Sequence, residues 1–245
     1  PYLTMQFDSE ATIVAELMKF AEVGNLYRGS KPVMWSPVEE TALAEAEVEY
    51  EDITSTQIDV AFEITESPIP ELVGAHAVIW TTTPWTIPVN QALAYGPEVE
   101  YSELVVWPAE LPLEKMSRQE KLANAAIILV ASDLVPAFVE RVGVIAVVQR
   151  TYKGSDLAGT VARHPMHHLG GFYARPRPFL PGDFVTTDSG TGLVHMSPDH
   201  GEDDFLLCRA NGLAPVFAVM ADGRYRDDWE WLGAGDLDEN GKERR

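Results

Sequence analysis

The feature that most constrains this chain is a series of short apolar and β-branched runs, separated by Pro, Gly and Asn. They are Ile58–Ile64, His76–Thr82, Leu93–Tyr95, Tyr101–Trp107, Ala125–Ala131 and Val142–Tyr152. Runs that recur about every ten residues are typical of β-sandwiches and β-barrels. We therefore expect a mainly β fold with peripheral helices, an α+β domain with a β-barrel-like sheet. The periodicity does not give the strand order.

Three segments have helical periodicity instead. Residues 8–26 repeat apolar side chains at helical spacing behind an acidic first turn, with a stop signal at Gly24-Asn25. Residues 132–141 begin with the cap residue Ser132. Residues 203–211 are followed by Gly212, a typical stop signal. We expect a helix over each segment.

Three other segments give weaker signals. The His-, Pro- and Gly-rich residues 164–183 predict a loop with at most short strands. Val185–Met196 predicts two strands around Ser189-Gly190-Thr191-Gly192, and the alternation of residues 47–52 predicts the start of a strand.

Composition limits the class of protein and its partners. The chain has 245 residues, 38 acidic against 18 basic, which gives a formal net charge of −20. This surplus argues against coating of DNA but permits capture of one nucleic-acid end delivered by a larger protein. The single Cys excludes an internal disulfide and suggests a reducing, cytoplasmic location. No apolar run reaches the roughly 18 residues of a membrane span.

The chain divides by composition into three parts. We expect a helical or linker segment over residues 1–30, the main domain over 31–235 and a polar tail over 236–245. The first residue is Pro1 rather than Met, so we expect an excised domain, and we expect it to be monomeric.

The first motif is WTTTPWT, Trp80–Thr86, in which three consecutive hydroxyls end an apolar run. Pro84 biases Thr83 to an extended conformation, so Thr81 and Thr83 face one way and Thr82 the other. One interpretation is a hydroxyl-lined pocket floor that binds a polar ligand or a water. The alternative is a β-strand that ends in a hydroxyl turn, since Thr is common in strands.

The second motif is GTGLVHMSPDHGEDD, Gly190–Asp204. Gly190 and Gly192 permit a tight turn or a close backbone approach. Leu193, His195 and Ser197 then share one face of a strand.

The same motif crowds titratable side chains. His195, Asp199, His200, Asp203 and Asp204 lie within ten residues, which leaves open a zinc or manganese site, although the spacing matches no common metal motif. The other interpretation is helix capping by the Asp pair. A carboxylate at a helix N-terminus tends to stay ionised, so we expect Asp204 to bind a ligand ammonium rather than to act as a general acid.

Other catalytic signatures are absent. The sequence has no GxSxG elbow and no P-loop. Cys208 lies in an apolar helix and is expected in the core, and His164, His167 and His168 are expected to be structural.

Taken together, the two motifs resemble the editing domain (connective polypeptide 1) of class I aminoacyl-tRNA synthetases for branched aliphatic amino acids. They stand in the family's order, about 110 residues apart, and the flanks Lys31–Tyr50 and Tyr152–Pro165 also match. The resemblance extends over about residues 1–232. His195 occupies a position that is typically His in isoleucyl, Lys in valyl and apolar in leucyl enzymes, so the isoleucyl type is favoured over the valyl and leucyl types.

The resemblance implies a hydrolytic proofreading activity. The domain would hydrolyse the aminoacyl ester of valyl-tRNA for isoleucine, with the 3′ aminoacyl end of that tRNA, its valine moiety and the rest of the synthetase as partners. Neither a cofactor nor a metal is implied, and the amino-acid activation motifs of the family are missing. Asp204 would pair with the valine α-ammonium, while Thr82 and Thr83, with Thr81 nearby, would hold the aminoacyl end and place the attacking water.

The resemblance also implies binding roles. Trp80 would pack against the aminoacyl or adenosine end, His195 would exclude isoleucine, and His200 is a weaker candidate for a polar contact or proton relay. Gly190-Thr191-Gly192 would approach the ribose or carbonyl oxygen. Four cations are candidates for a basic rim that meets the tRNA: Arg150, Lys153, Arg175 and Arg177.

Two different functions remain open from the sequence. One is a metal-dependent hydrolase that uses His195, His200 and Asp203 or Asp204. The other is a noncatalytic acidic binding module whose Thr and His motifs are structural.

Overall fold

A computed structural model describes residues 3–228, and the chain divides into two compact units, residues 1–31 and 32–245. The first unit holds helix α1, Phe7–Glu22, with Asp8 and Glu10 in its first turn. Gly24 has φ +77°, and the next amide, Asn25 N–H, donates to the carbonyl of Phe20 and ends the helix. The predicted helix 8–26 is thereby confirmed, with an end four residues earlier than expected.

The second unit contains a short hairpin and a large mixed sheet. The hairpin pairs β1 and β2, which are Trp35–Ser36 and Thr41–Ala42. The sheet strands are β3 Ile58–Glu66, β4 His76–Thr81, β5 Ala92–Tyr95, β6 Glu100–Pro108, β7 Ala126–Ala131, β8 Val144–Lys153, β9 Val161–Arg163, β10 Pro176–Pro181 and β11 Leu193–Met196.

The nine strands are ordered β11-β5-β10-β9-β3-β4-β7-β6-β8. The pairs β5–β10 and β4–β7 are parallel and the others antiparallel. Among the described residues the ladder ends at β8 and β11 and does not close. The predicted α+β class is confirmed in this sense, whereas a barrel is not found.

The core lies where the inward faces of the strands meet. Phe62, Ile64, Ile79, Leu93 and Leu129 are completely buried in one cluster. Strand alternation produces this face, because side chains two residues apart point the same way. A second cluster lies under helix α3, Val135–Val142, whose side chains pack against β4, β6 and β7.

The other helices are short. Helix α2, Arg118–Ala123, begins with a capping box between Ser117 and Glu120. Helix α4, Glu202–Ala210, confirms the helix predicted over residues 203–211. A 3₁₀ turn at Ser132–Leu134 precedes α3, so the helix predicted over residues 132–141 is a composite of two helical types.

Two sequence predictions are wrong in the described residues. The segment 47–52 forms no strand. Its first residue, Glu47, is the last residue of a 3₁₀ turn that begins at Glu45. Val185–Met196 holds one strand, β11, rather than two. The segment 164–183, predicted as a loop with at most short strands, contains the six-residue strand β10. This strand lies between β5 and β9 even though Pro176 and Pro178 lack backbone donors. The predicted tail, residues 236–245, lies outside the described residues.

Two loops position the ends of β4 and β11 beside each other. After Thr81 the chain turns into a 3₁₀ helix, Pro84–Val89. Ahead of β11, the carbonyl of Thr191 accepts from Ala131 N–H at 2.8 Å, and that of Gly192 accepts from the Tyr101 hydroxyl at 2.7 Å.

Within residues 3–228, no helix combines the length and apolar character that crossing a membrane requires.

Candidate functional site

The two sequence motifs meet at a polar pocket of about 180 Å³. One wall comes from the end of β4 and the following 3₁₀ helix, and the other from β11 and the start of α4. The lining residues are Thr81, Thr83, Trp85, Thr86, His195, Ser197, His200 and Asp204.

The threonine wall is held by hydrogen bonds within its own segment. The Thr81 hydroxyl accepts from Thr83 N–H at 2.9 Å, and the Thr86 hydroxyl donates to the Thr83 carbonyl at 2.8 Å. Pro84 begins the 3₁₀ helix, where its fixed φ suits the first position. The segment therefore presents hydroxyls to the pocket at fixed positions.

His195 is fixed by the same wall. Its Nε2 lies 2.9 Å from the Thr86 hydroxyl, whose proton is used toward the Thr83 carbonyl. Nε2 is then the protonated nitrogen, and Nδ1 is a buried acceptor with no partner among residues 3–228. Burial, followed by the neighbouring His200, lowers the pKa of His195 to about 4, so the ring is neutral at pH 7.

Asp204 lies in the first turn of α4 and faces the pocket. Its Oδ1 accepts from Ser197 N–H at 2.8 Å, and a Cβ at Gly201 would overlap the carboxylate. Burial raises the pKa of Asp204 to about 6 despite this hydrogen bond. The expectation that its helix position keeps it firmly ionised is therefore weakened, although the ionised form still predominates at pH 7.

His200 and Trp85 form the aromatic part of the pocket. Their ring centroids are 4.8 Å apart with an interplanar angle of 76°, an edge-to-face contact. Burial lowers the pKa of His200, so both histidines of the pocket favour the neutral form. Trp85 is 47% exposed and lines the pocket.

Thr81, Thr83, His195, His200 and Asp204 are thus brought together as the sequence indicates. Thr82 is not, because strand alternation leaves it exposed and outside the pocket lining. The pocket lining therefore contains Thr83 of the predicted catalytic pair together with Thr81, but not Thr82.

Trp80 and the Gly190-Thr191-Gly192 turn also lie outside this lining. The Trp80 indole donates to Gln57 Oε1 at 3.0 Å, and Gly190 packs against its ring. Arg141, paired with Asp59 at 2.7 Å, donates to the Gly190 carbonyl at 3.3 Å. Trp80 and the turn thus contact each other on the opposite side of β4, and Thr191 is buried.

The sequence reasoning missed Trp85 and Thr86 as lining residues. Both stand in the WTTTPWT motif, and the 3₁₀ helix after Pro84 turns them back toward the pocket. A helical rather than extended reading of that segment would have found them.

The ligand set required for a metal is not assembled. Among residues 3–228 no three His, Cys, Asp or Glu side chains converge, and Asp203 is exposed. Cys208 is fully buried in the core as predicted, where burial raises the pKa of its thiol to about 12. His164 is also structural, because its ring is buried between Phe62 and Tyr173.

Of the four cations predicted to form a basic rim, two are engaged in ion pairs and one is buried. Arg150 pairs with buried Glu103 at 3.0 Å, and Lys153 pairs with Glu98 at 3.0 Å. Arg177 is 1% exposed and therefore cannot belong to a surface rim.

The fold and the pocket define an α+β domain that holds one carboxylate among threonine hydroxyls and neutral imidazoles. A family model described as tRNA synthetases class I (I, L, M and V) matches residues 1–222, and the chain belongs to this family.

Its relatives include isoleucine–tRNA ligases. The enzyme of Zymomonas mobilis is 55% identical over 239 residues, which cover 97% of this chain and 24% of the relative. The enzyme of Gluconobacter oxydans is 53% identical over 91% of this chain and 23% of its own. The chain thus spans about a quarter of these relatives.

Among solved structures, the editing domain of the P. falciparum cytosolic leucyl-tRNA synthetase is similar. It has a TM-score of 0.44 and 15% identity over 56% of this chain and 47% of that one. The P. knowlesi domain gives a TM-score of 0.45 and 14% identity over 56% and 52%.

Proposed function

We propose that this chain is the editing module of an isoleucyl-tRNA synthetase and hydrolyses the aminoacyl ester of valyl-tRNA for isoleucine. The observation that carries the proposal is the meeting of Asp204, Thr81, Thr83 and His195 in one small pocket. The identity to isoleucine–tRNA ligases over nearly the whole chain supports the amino-acid type.

Asp204 is the partner for the α-ammonium of the misattached amino acid. Its Oδ1 is held by Ser197 N–H, and the imidazoles around it are neutral, so it supplies the pocket's negative charge. An ammonium in contact with it forms a charge-assisted hydrogen bond, which is stronger than a neutral one. The cation in turn stabilises the ionised carboxylate.

Thr81 and Thr83 orient the ester and the attacking water. Aminoacyl esters are activated, so hydrolysis requires a water held in line and donors for the oxyanion rather than a covalent nucleophile. The Thr83 hydroxyl lines the pocket, while Thr81 fixes the Thr83 amide.

His195 also selects by size. A methylene in an apolar pocket is worth about 1–3 kcal/mol, a limit for which isoleucyl-tRNA synthetase is itself the usual example. A second pocket that excludes the larger amino acid adds to that discrimination. The bond from Thr86 fixes the imidazole as a wall, and a fixed wall rejects isoleucine more sharply than a mobile one.

We place the terminal adenosine at Trp85 rather than at Trp80. Trp85 lines the pocket and is exposed, whereas Trp80 contacts Gln57 and Gly190. Base stacking on an exposed aromatic ring is the common way proteins hold single-stranded nucleic-acid ends. With a net charge of −20, most of the tRNA affinity is expected from the rest of a longer synthetase.

Deacylation assays test the proposal. Valyl- and isoleucyl-tRNA for isoleucine are incubated with this chain, and with a full-length synthetase that carries it, each with and without a chelator. We expect loss of valine only, unaffected by the chelator. Equal loss of both amino acids would refute the selectivity, and loss blocked by the chelator would instead favour the metal-dependent alternative.

A further inference from the structure

A second cavity lies beside β10, about 250 Å³ in volume. Arg177 of β10, Gln91 and the segment 212–216 contribute to its lining. Arg177 is the largest fully buried side chain in the described residues, 1% exposed. An arginine is almost never buried to this degree without a charged partner.

The hydrogen bonds of Arg177 leave its charge uncompensated within residues 3–228. One terminal nitrogen, Nη2, donates to the Phe172 carbonyl at 3.0 Å, and Nη1 donates to the Arg175 carbonyl. The guanidinium carbon lies 4.8 Å from the centroid of the Phe172 ring. The Nε–H has no acceptor, and no carboxylate in this range forms an ion pair with the side chain.

These hydrogen bonds satisfy the two terminal nitrogens of Arg177, but they do not neutralise its buried positive charge. Burial lowers the pKa of Arg177 to about 10, so the side chain remains cationic at pH 7. A buried cation that meets only neutral carbonyls is costly, because those dipoles do not replace an anion.

We propose that the cavity beside β10 is a binding site for a phosphate group, with Arg177, which contributes to its lining, as the buried cation that compensates the ligand's charge. Guanidinium groups match phosphate oxygens through parallel donors and remain charged when desolvated. Gln91, whose Nε2 donates to the Ala214 carbonyl at 2.8 Å, forms the adjoining wall.

The site is linked to the threonine pocket by one backbone hydrogen bond. Gln91 N–H donates to the Met196 carbonyl at 2.9 Å, and Met196 lies between His195 and Ser197 in the chain. An RNA end whose last residue occupies the threonine pocket could therefore place an earlier phosphate here, a source that rests on the proposed function. Free phosphate is the other source of the same chemistry.

The test follows the Arg177 Nε–H signal by NMR in the complete chain. Inorganic phosphate is titrated in one arm and a single-stranded cytidine-cytidine-adenosine trinucleotide in the other, with sodium chloride at matched ionic strength as the control. We expect a saturable shift of this signal with at least one probe and none with chloride. Saturation by the trinucleotide alone would identify the RNA strand as the source.

The exposed residue Ala214 at the cavity provides matched variants that leave Arg177 in place. Ala214→Glu adds a negative charge at the lining, and Ala214→Gln has the same size without the charge. We expect phosphate or trinucleotide binding at least ten-fold weaker in the Glu variant than in the Gln variant. Equal binding by the two variants, or an unmoved Arg177 signal with both probes, would overturn the proposal. The inorganic phosphate arm involves no ester hydrolysis, so a failure of the editing proposal leaves its result unaffected.

Discussion

Replacing Asp204 with Asn should abolish most of the activity while stabilising the fold. The natural control is Asp203→Asn, because the two aspartates are adjacent in the first turn of α4, yet Asp203 is exposed and lies outside the pocket lining. Both substitutions remove one charge at the same helix end. A difference between them therefore reports the pocket rather than the helix.

The loss of activity follows from the ammonium contact. A hydrogen bond to a charged group contributes about 1.5–3 kcal/mol, and every 1.4 kcal/mol is tenfold. We expect kcat/KM for valyl-tRNA to fall by roughly 10- to 150-fold in Asp204→Asn and by less than about twofold in Asp203→Asn. In the wild type, kcat/KM should also decline below about pH 6, where Asp204 becomes protonated.

The gain in stability follows from the buried charge. Burial raises the pKa of Asp204 from 3.8 to about 6, and each pKa unit corresponds to about 1.4 kcal/mol. Ionised Asp204 therefore destabilises the fold by about 3 kcal/mol at pH 7, a net value in which its favourable hydrogen bonds are already included. Asn retains the acceptor for Ser197 N–H, so we expect a gain of up to about 3 kcal/mol in the free energy of unfolding.

The gain also has a defined pH dependence. A carboxyl with a raised folded-state pKa imposes no penalty below pH 3.8 and its full penalty above about pH 6. Urea unfolding of both variants and the wild type between pH 4 and 7, together with deacylation kinetics, measures these quantities. The reasoning is refuted if Asp204→Asn is less stable than the wild type at pH 7, or if Asp203→Asn loses as much activity.

Three further predictions concern the walls and the core. His195→Ala should open the pocket and lower the preference for valyl- over isoleucyl-tRNA at least about tenfold in deacylation assays; unchanged selectivity removes its steric role. Gly192→Ala should lower the free energy of unfolding by about 2–5 kcal/mol, because Gly192 has φ +72° and its new Cβ would overlap Ala131. The control is Gly212→Ala, where φ is +75° but the space around the new Cβ is open. Denaturant titration should show a loss of only about 1–2 kcal/mol for this control. His164 should stay neutral in an NMR titration until about pH 4, and a measured pKa near 6.5 would contradict this. Its contribution to the free energy of unfolding should be complete above pH 6.5 and should decrease by up to about 3 kcal/mol as the pH falls from 6.5 through 4.

Short apolar and β-branched runs made most of the sheet predictable. Within Ile58–Glu66 the buried residues Phe62 and Ile64 are two positions apart, so this sequence indicates both the strand and its inward face. Glu100–Pro108 buries four consecutive residues, 101–104, so its sequence indicates a strand but not which face is inward. β10 was not predictable in this way, because Pro176 and Pro178 suggest a loop. Its strand geometry comes from pairing with β5 and β9, which are distant in the chain.

The same limit applies to the site. Strand alternation alone separates Thr81 and Thr83 from Thr82, and the structure has this arrangement. The return of Trp85 and Thr86 toward the pocket depends on a 3₁₀ helix that the spacing of Trp and Thr does not reveal. The burial of Arg177 depends on packing against Phe172 and on the segment 212–216. The sequence indicated that Arg177 is a cation at the surface, whereas its tertiary contacts bury it beside a cavity.

The electrostatics of the threonine pocket also indicate what kind of group it accepts. Burial drives His195 and His200 toward their neutral forms, whereas Asp204 remains mostly ionised at pH 7 even though burial raises its pKa. The net charge from these three lining side chains is therefore close to −1. In a partly desolvated pocket such a charge favours a ligand with one compensating positive charge. An α-ammonium next to an uncharged ester satisfies this condition, whereas a free amino acid would bring its own carboxylate close to Asp204. On the proposed function, the pocket would favour the esterified amino acid over its hydrolysis product, and the charge that binds the substrate would also assist the release of valine.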